Sequence, residues 1–369
     1  MSDTAKAHLK QIYNDIISTS PKYGVYHKTI FHIHTPESHD FKLVDEWEDC
    51  QYQSASFDDV MAKCEKQGVF PKDFDISSIE SKAWDETYSS KKEWLSFVML
   101  ADALIKEQYA FVVVTDHNTI SGIEKLKKAV KAVHSAHKGS VYPTIIAGIE
   151  ISCADKLHVV VIFDLQKHKK IVEDWLDGNL INPKDGSYQT SLNVIDFFSA
   201  EGCLAYIAHI NTSNIFGEKY LSGAYKAKLF TNENLNFFGV NKAEGRGVVA
   251  TFLRDNFKIK NPRFLLDNDA HTISQLSNNY FWLKGSKPTY GMLVEALNDY
   301  TVSVCFEEEQ PKQYIDGIFI ESGGFLVGAK DSPTSNTIIR FSPGLNCFIG
   351  GRGTGKSTVL QMIDYSNPT

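Results

Sequence analysis

Residue types that bind metal ions recur at short spacings in this 369-residue sequence. His32 and His34 lie two residues apart in the apolar segment FHIHT, and Asp269 and His271 repeat that spacing in DNDAH. In a β-strand, side chains two residues apart point to the same face. Imidazoles on one face can bind one ion, so the spacing favours metal coordination.

Five further candidates stand at the ends of apolar runs. All lie at or just past the C-terminal end of a run, except His158, which opens one; they are Asp40, His117, Glu150, His158 and His209. A single histidine near a strand more often has a structural role, and we interpret His8, His27, His134, His137 and His168 in that way. The argument for the candidates is joint, because so many ligands beside apolar segments are improbable by accident.

The elements that must position these residues follow from the hydrophobic pattern. Apolar segments predict strands at 29–34, 110–117, 142–152, 158–163, 203–210 and 263–271. Helices are predicted between several of them, at 121–138 and 191–202 among others. Alternating strands and helices indicate a parallel α/β sheet or barrel, and such barrels place their chemistry at the C-terminal rim.

The domain boundaries follow from changes in composition. We expect a helical extension at 1–28, a catalytic domain at 29–310 with an insertion at 41–105, and the beginning of another domain at 311–369. The charged, proline-containing stretch at 307–313 is the expected linker.

The motifs together resemble the PHP (polymerase and histidinol phosphatase) family over about residues 28–310. The matching segments are HIHTPESHD at 32–40, TDHN at 115–118, the isolated Glu150 and His158, the AHI-type His209 and DAH at 269–271. The resemblance implies a distorted, TIM-like (β/α)7 barrel. It also implies two or three divalent transition metals, zinc, manganese or iron, at the C-terminal rim.

The same resemblance implies nine metal ligands in three groups. They are His32, His34, Glu150 and Asp269 for one ion, Glu150 again with His158 and His209 for a second, and Asp40, His117 and His271 for a third. It further implies that Glu150, His117 and Asp269 are catalytic. The choice between His39 and Asp40 stays open, and Asp116 is interpreted as orienting His117 or capping its strand.

Metal ions held in this way activate water and stabilise the charge of an attacked phosphate. Arg246, Arg254 and Arg263 precede the DAH segment; they are candidates for binding phosphate, with structural salt bridges as the equal alternative. The lysine-rich helix at 121–138 invites a nucleic-acid interpretation. Its apolar stripe favours instead the outer face of a barrel helix.

A second motif lies in GGRGTGKST, which has the full G-x-x-x-x-G-K-[ST] spacing. Backbone N–H groups of such a loop wrap phosphate oxygens, and its lysine and serine reach the phosphates and Mg²⁺. The expected ATP- and Mg-binding residues are Gly350, Gly353, Gly355, Lys356, Ser357 and Thr358. Residues 314–366 resemble the N-terminal part of ABC/SMC-type ATPases, which implies that the remaining ATPase motifs belong to a longer protein.

Composition sets further limits. The net charge of −7 gives nucleic acid no general attraction, so such a partner requires a local basic patch. No apolar run reaches the ~18–20 residues of a membrane span, and the first residues lack a signal-peptide pattern. A cytoplasmic protein without a membrane partner is therefore expected. The six cysteines lack a CxxC pair, which favours free thiols.

A PHP domain followed by an SMC-like ATPase resembles large bacterial fusion proteins associated with nucleic-acid processing and phage defence. Our first hypothesis is a metal-dependent phosphoesterase, a nuclease that ATP gates in the longer protein, acting as a homo-oligomer. One alternative is a phosphatase of small phosphate monoesters or nucleotides. Another is a non-catalytic metal-binding scaffold that organises the ATPase.

Overall fold

The computed structural model describes residues 2–19, 24–70, 87–137, 139–213, 215, 221–307, 314–320 and 336–366. The chain divides into two units: residues 26–307 form one, and residues 1–25 together with 308–369 form the other. Among the described residues, none of the helices combines the length and the apolar character needed to cross a bilayer.

The elements are as follows. The helices are α1 (Asp3–Ser18), α2 (Gln51–Ser54), α3 (Phe57–Gln67), α4 (Lys91–Lys106), α5 (Ser121–His134), α6 (Leu165–Asn179), α7 (Ser191–Ala200), α8 (Gly223–Phe230), α9 (Gly245–Phe257), α10 (Tyr290–Asn298), α11 (Tyr300–Ser303) and α12 (Lys356–Ser366). The strands are β1 (Val25–Ile33), β2 (Phe111–Val114), β3 (Thr144–Ser152), β4 (His158–Phe163), β5 (Leu180–Asn182), β6 (Gly186–Ser187), β7 (Leu204–Ile207), β8 (Phe237–Val240), β9 (Arg263–Ala270), β10 (Phe281–Gly285), β11 (Val304–Cys305), β12 (Gly317–Ile320) and β13 (Thr337–Arg340).

Seven strands form a closed barrel in the order β1-β2-β3-β4-β7-β8-β9, which β1 closes by pairing with β9. The mixed α/β fold with a seven-stranded barrel is thus confirmed. β8 was not anticipated, because its segment FFGV is short and contains a glycine. β10 and β11 extend the sheet beyond β1.

The barrel is not purely parallel, and here the sequence-based expectation was wrong. β4 runs antiparallel to both β3 and β7. Only residues 153–157 separate β3 from β4, and a parallel crossover needs a dozen or more residues. The reversal explains why His158 opens its strand: the start of β4 lies at the rim where the parallel strands end.

The barrel core is continuous and apolar. All four residues of β2 are buried, as are the inward residues of α5, Ile123, Leu126 and Val130. Burying these side chains contributes about 25 cal/mol per Å² of apolar surface removed from water. That contribution holds the strand ends, and therefore the polar rim, in fixed positions.

The expected insertion at 41–105 includes a barrel helix. α4 lies between β1 and β2 in the chain, packs on α5, and most of its residues are buried. It is therefore the crossover helix of a βαβ unit. The added part is limited to about residues 41–90, of which 71–86 lie outside the described residues.

The smaller unit contains α1, β12, β13 and α12. β12 and β13 pair antiparallel, and the Arg340 guanidinium donates to the carbonyls of Ile16 and Ile17 at the end of α1. The N-terminal helix therefore packs with the C-terminal strands. The segment LNCFIGG at 345–351, whose apolar residues suggest a strand before the glycine loop, forms no strand: Leu345 and Ile349 are about nine-tenths exposed, and a strand needs a hydrogen-bonded neighbour.

Candidate metal centre

The rim of the barrel collects the candidate ligands from six strand ends. His32 lies in β1, His158 opens β4, and Glu150 lies near the end of β3. The others follow β1, β2 and β7 or lie at the end of β9. Strand geometry therefore brings together residues up to 239 positions apart in the chain, from His32 to His271.

Glu150 is the centre of this arrangement. Its side chain is completely buried. Imidazole nitrogens of five histidines lie within 3.4 Å of its carboxylate, namely those of His158 (2.7 Å), His32 (2.8 Å), His209 (3.1 Å), His117 (3.3 Å) and His34 (3.4 Å). A buried carboxylate shared by several imidazoles is suited to bridging cations.

Asp40 forms a second focus. Its Oδ2 lies 2.9 Å from His271 Nε2 and 3.1 Å from His117 Nε2, while Ser38 Oγ donates to its Oδ1 at 2.7 Å. His39 stands at the edge of the cluster, with its ring 5.3 Å from that of His117. Of the two residues between which the sequence left a choice, Asp40 is the one that faces the other ligands.

The ligand atoms fall into three overlapping groups, each with members within 4.8 Å of one another. They are His32, His34, Glu150 and Asp269; His34, Asp40, His117 and His271; and His117, Glu150 and His158. The first group is the set expected for the first ion. The second group adds His34 to Asp40, His117 and His271, the set expected for the third ion. In the third, His117 stands where His209 was expected; His209 Nε2 lies 3.1 Å from Glu150 Oε1, the oxygen that His158 also contacts.

The electrostatics of the site follow from burying so many ionisable groups together. Burial lowers the pKa of His117, but Glu150 and Asp40 outweigh it and raise the pKa to about 9. Burial raises the pKa of Glu150, yet the neighbouring imidazoles hold it well below its usual range. Burial and the charge of His271 lower the pKa of His34 to about 3. The cluster therefore holds positive charge beside its carboxylates.

Three ligand residues have a left-handed backbone: His32 (φ 63°), Asp269 (φ 55°) and His209 (φ 28°). Such conformations cost of order 1–3 kcal/mol each in non-glycine residues, and they concentrate at functional sites. In β1 the register with both neighbours shifts near His32. The departures from regular strand geometry thus occur at the residues that face the cluster.

The residues present fit metal ions. The buried Nδ1 of His117 has no hydrogen-bond partner, although it points toward Glu150. Imidazole and carboxylate donors are those that zinc, manganese and iron accept. Cations at this position would satisfy both the unpaired nitrogen and the excess of acceptor atoms.

Asp267 is a buried acid that the sequence reasoning missed. Tyr206 Oη donates to its Oδ1 at 2.7 Å, and the His209 backbone N–H donates to its Oδ2 at 2.6 Å. Its Oδ1 also lies 3.5 Å from Nδ1 of His32. A carboxylate behind a ligand imidazole fixes the orientation of the ring. The available signal was an acid inside the apolar run RFLLDNDA, two residues before Asp269.

Asp116 does not orient His117. Its carboxylate accepts from the backbone N–H of Thr35 at 2.5 Å and from Thr35 Oγ1 at 2.8 Å. Burial raises the pKa of Asp116 to about 7. The residue therefore fixes the turn that follows His34.

The three candidate arginines have other contacts. The Arg246 guanidinium lies 4.1 Å from the centre of the Phe306 ring, and Arg254 pairs with exposed Asp255. Arg263 opens β9, six residues before Asp269, and so lies toward the opposite end of the barrel. Arg254 and Arg263, which the sequence offered as candidates for binding phosphate, do not stand at the rim, because the helix α9 and the strand β9 place them away from it.

The lysine-rich helix α5 is an outer barrel helix. Lys125 is mostly buried, and its Nζ lies 2.5 Å from carboxylate oxygens of both Glu37 and Glu93. Lys127 pairs with Glu124. These ion pairs tie the segment after His34 to α4 and α5, which favours a structural role for the helix.

The phosphate loop of the smaller unit precedes α12, which begins at Lys356. Gly353 (φ 80°) and Gly355 (φ 85°) adopt left-handed conformations that glycine tolerates. Lys356 Nζ donates to the carbonyls of Gly350 and Gly351 at 2.7 and 2.6 Å. A cavity of about 200 Å³ is lined by residues 353–358, so all six expected phosphate-loop residues lie in or beside one turn.

The six cysteines are free thiols, three of them buried.

The chain matches none of the known family models with which it was compared.

A protein of Streptococcus pneumoniae serotype 4, itself uncharacterized, is 40% identical over 237 residues. The match spans 63% of this chain and 90% of the streptococcal protein. The chain belongs to the same family as that protein.

Three solved structures share a limited structural similarity with this chain. The lesion-specific endonuclease PfuEndoQ from Pyrococcus furiosus gives a TM-score of 0.47 at 12% identity, covering 81% of this chain and 62% of the endonuclease. A complex of endonuclease Q with a 27-mer duplex bearing an abasic lesion gives 0.43 at 11% identity, covering 74% of this chain and 57% of that one. A two-domain protein from Bacteroides vulgatus, containing a predicted PHP-like metal-dependent phosphoesterase, gives 0.40 at 12%, covering 82% and 76%.

Proposed function

We propose that residues 26–307 are a metal-dependent phosphoesterase of the PHP type. One observation carries the proposal: nine histidine and carboxylate side chains converge on the C-terminal rim of a seven-stranded barrel, around the completely buried Glu150. Metals held by such ligands activate water for attack on phosphorus and stabilise the charge that develops on phosphate oxygens.

The chain's own residues have distinct tasks in this proposal. Glu150 bridges the first and third ligand groups, and His34 is shared between the first and second. One ligand of each group is about one-third exposed, namely Asp40, Asp269 and His158, whereas Glu150, His32 and His34 are buried. Substrate therefore approaches from the face where these three exposed ligands lie, while the buried Glu150 side anchors the ions.

For the substrate class, we propose nucleic-acid phosphodiesters, and the activity is then that of a nuclease. Support comes from the partial exposure of Asp40, Asp269 and His158, which leaves the cluster open to a substrate, and from the PHP-like sequence motifs. Two alternatives are a phosphatase of small phosphate monoesters or nucleotides and a non-catalytic metal-binding scaffold. The completeness of the ligand set favours an enzyme over a scaffold.

Glu150→Gln tests the proposal. Loss of the bridging charge should remove at least one bound metal and reduce hydrolysis at least 100-fold, while circular dichroism stays unchanged. The matched control is Glu124→Gln, an exposed glutamate on α5. Metal content by mass spectrometry is measured beside hydrolysis of single-stranded DNA, RNA, duplex DNA and p-nitrophenyl phosphate esters. Full activity of Glu150→Gln on the best substrate would refute the assignment.

For the smaller unit, we propose a nucleotide-binding site for ATP with Mg²⁺. The observation that supports it is the glycine loop with left-handed Gly353 and Gly355 at the start of α12. Backbone N–H groups and the helix N-terminus at such a loop favour phosphate. We further propose that ATP is coupled to the phosphoesterase, that the protein assembles into a homo-oligomer and that it acts in phage defence.

A further inference from the structure

The β5–β6 hairpin, residues 180–187, was not foreseen from the sequence and has no part in the ligand set. Its tip carries Lys184, an exposed cation. The three candidate arginines lie elsewhere in the fold, and this hairpin brings a different cation beside the ligand-bearing end of β3.

Asn118 fixes the hairpin to the metal centre. It directly follows the ligand His117, and its backbone N–H donates to the carbonyl of Glu150 at 2.8 Å. Its Nδ2 donates to the carbonyl of Pro183 at 2.9 Å, and its Oδ1 accepts from the Ser152 N–H at 3.1 Å. One asparagine, in a left-handed conformation (φ 54°), therefore joins two ligand-bearing segments to the residue before Lys184.

Gly186 brings the hairpin into direct contact with β3. Its φ is +79°, and a Cβ at this position would lie 2.4 Å from the carbonyl oxygen of Ser152. Ser152 is the last residue of β3, two residues beyond Glu150. Only glycine permits this approach, so the base of the hairpin is set against the end of a ligand strand.

The tip itself is preorganised. Asn182 Oδ1 accepts from the N–H groups of Lys184 (2.9 Å) and Asp185 (2.8 Å), and Asn182 Nδ2 donates to the Asp185 carboxylate at 2.6 Å. Such an Asx turn holds the backbone in one conformation. Asp185 is thereby engaged with Asn182, and among the described residues no carboxylate lies within ion-pair distance of Lys184 Nζ.

The hairpin adjoins the centre. Pro183, the residue before Lys184, accepts a hydrogen bond from Asn118, which directly follows the ligand His117, and Gly186 packs against the end of the strand that carries Glu150. An exposed lysine held beside two ligand-bearing segments is suitably placed to attract an anion that approaches the ions.

We propose that the β5–β6 hairpin is the substrate-phosphate arm of this centre and that Lys184 binds a phosphate oxygen of the substrate. This inference rests on the proposed phosphoesterase function and names the cation that function needs. Lys184 acts in binding, as a point charge with three donors, and does not take part in bond cleavage.

The experiment measures binding of inorganic phosphate to the manganese-loaded 369-residue protein by isothermal titration calorimetry. Lys184→Ala should weaken phosphate binding about tenfold, the effect of losing one charge-assisted contact, whereas Lys184→Arg should stay within about threefold of wild type. The matched control is Lys260→Ala, since Lys260 is exposed and precedes β9 at the other end of the barrel. Metal content should be the same in all four proteins.

Four outcomes would overturn the inference: no phosphate binding by wild type, unchanged binding by Lys184→Ala, an equal loss in Lys260→Ala, or a loss of metal in Lys184→Ala. Failure of the proposed function looks different. In that case wild type hydrolyses no phosphoester, while phosphate binding still depends on Lys184.

Discussion

At the scale of single residues, Asp267 is the least obvious participant in the metal centre. It belongs to none of the three ligand groups, yet its carboxylate faces His32 and accepts a hydrogen bond from the backbone N–H of His209. Gly239 makes room for it, because a Cβ there would lie only 1.8 Å from Asp267 Oδ2. We therefore regard Asp267 as a positioning residue for two ligands.

Asp267→Asn should weaken metal binding about 10- to 100-fold, since that is the typical effect of removing the carboxylate behind a ligand histidine. The volume is nearly conserved, so the melting temperature of the metal-free protein should change little by comparison. The measurement is a manganese titration, with exposed Asp255→Asn as control. Unaltered affinity in Asp267→Asn would show that the carboxylate has no positioning role.

The pKa values of the histidines predict how many protons are released when metal binds. In the metal-free protein, nearby carboxylates outweigh burial and raise the pKa of His32, His209 and His271, and that of His117 to about 9. His117 and His32, whose pKa values are raised furthest, therefore carry protons at pH 7, and metal binding must displace them. Metal uptake should therefore release more than one proton per chain at pH 7, and affinity should rise as the pH approaches about 9. Calorimetry in buffers of different ionisation enthalpy measures this release; a value of zero would contradict the charge state described.

At the scale of elements, the rim depends on close packing between α5 and the turn after β1. At Gly122 a Cβ would lie 2.1 Å from Thr35 Oγ1 and 2.2 Å from Asp116 Oδ2. Both partners are buried and bonded to each other, so neither can move without breaking the Thr35–Asp116 contact. This glycine lets α5 approach the turn that carries the ligand His34.

Gly122→Ala should lower the free energy of unfolding by about 1–3 kcal/mol, the usual range for overpacking. Gly178→Ala provides a matched comparison, because nothing lies within 4 Å of a Cβ there and Gly178 is also helical. That change should be neutral or stabilising by about 0.4–1 kcal/mol. Urea denaturation of the metal-free proteins measures the free energy of unfolding of each variant. Equal stability of the two variants would argue against the packing described.

At the scale of the whole molecule, the chain contains two units, each with its own candidate site. The metal ligands all belong to residues 26–307, and the glycine loop belongs to the other unit. The N-terminal helix α1 contributes to the second unit by accepting hydrogen bonds from Arg340. Residues at the two ends of the sequence thus build one structure.

Lys356→Ala should weaken ATP binding at least tenfold, because the lysine is the cation of the glycine loop, and should leave the transition-metal content unchanged. Fluorescent ATP titration and metal analysis measure the two effects, with exposed Lys10→Ala on α1 as control. Loss of transition metal in Lys356→Ala, or undiminished ATP binding, would contradict the division of roles between the units.

The sequence by itself determined the barrel class and the main ligand candidates. Apolar runs marked six of the seven barrel strands, and polar residues at their ends marked the rim, because both signals are local in the chain. Features that depend on pairing between distant segments were decided only by the tertiary structure. The reversal of β4 places His158 with the other ligands. The short strand β8 and the place of α4 in the barrel likewise become evident only from their neighbours in the fold.

Which residues support the ligands was also decided only by the fold. Asp267 accepts a hydrogen bond from the backbone of His209, 58 residues away, and Asn118 donates one to Pro183, 65 residues away. Asp116 accepts from Thr35 and not from its neighbour His117. Arg254 and Arg263 lie near the DAH segment in sequence but not at the rim, because a strand carries its two ends to opposite sides of the barrel. Residue type and spacing specify which side chains can bind a metal, and only the closed barrel specifies which partners orient them.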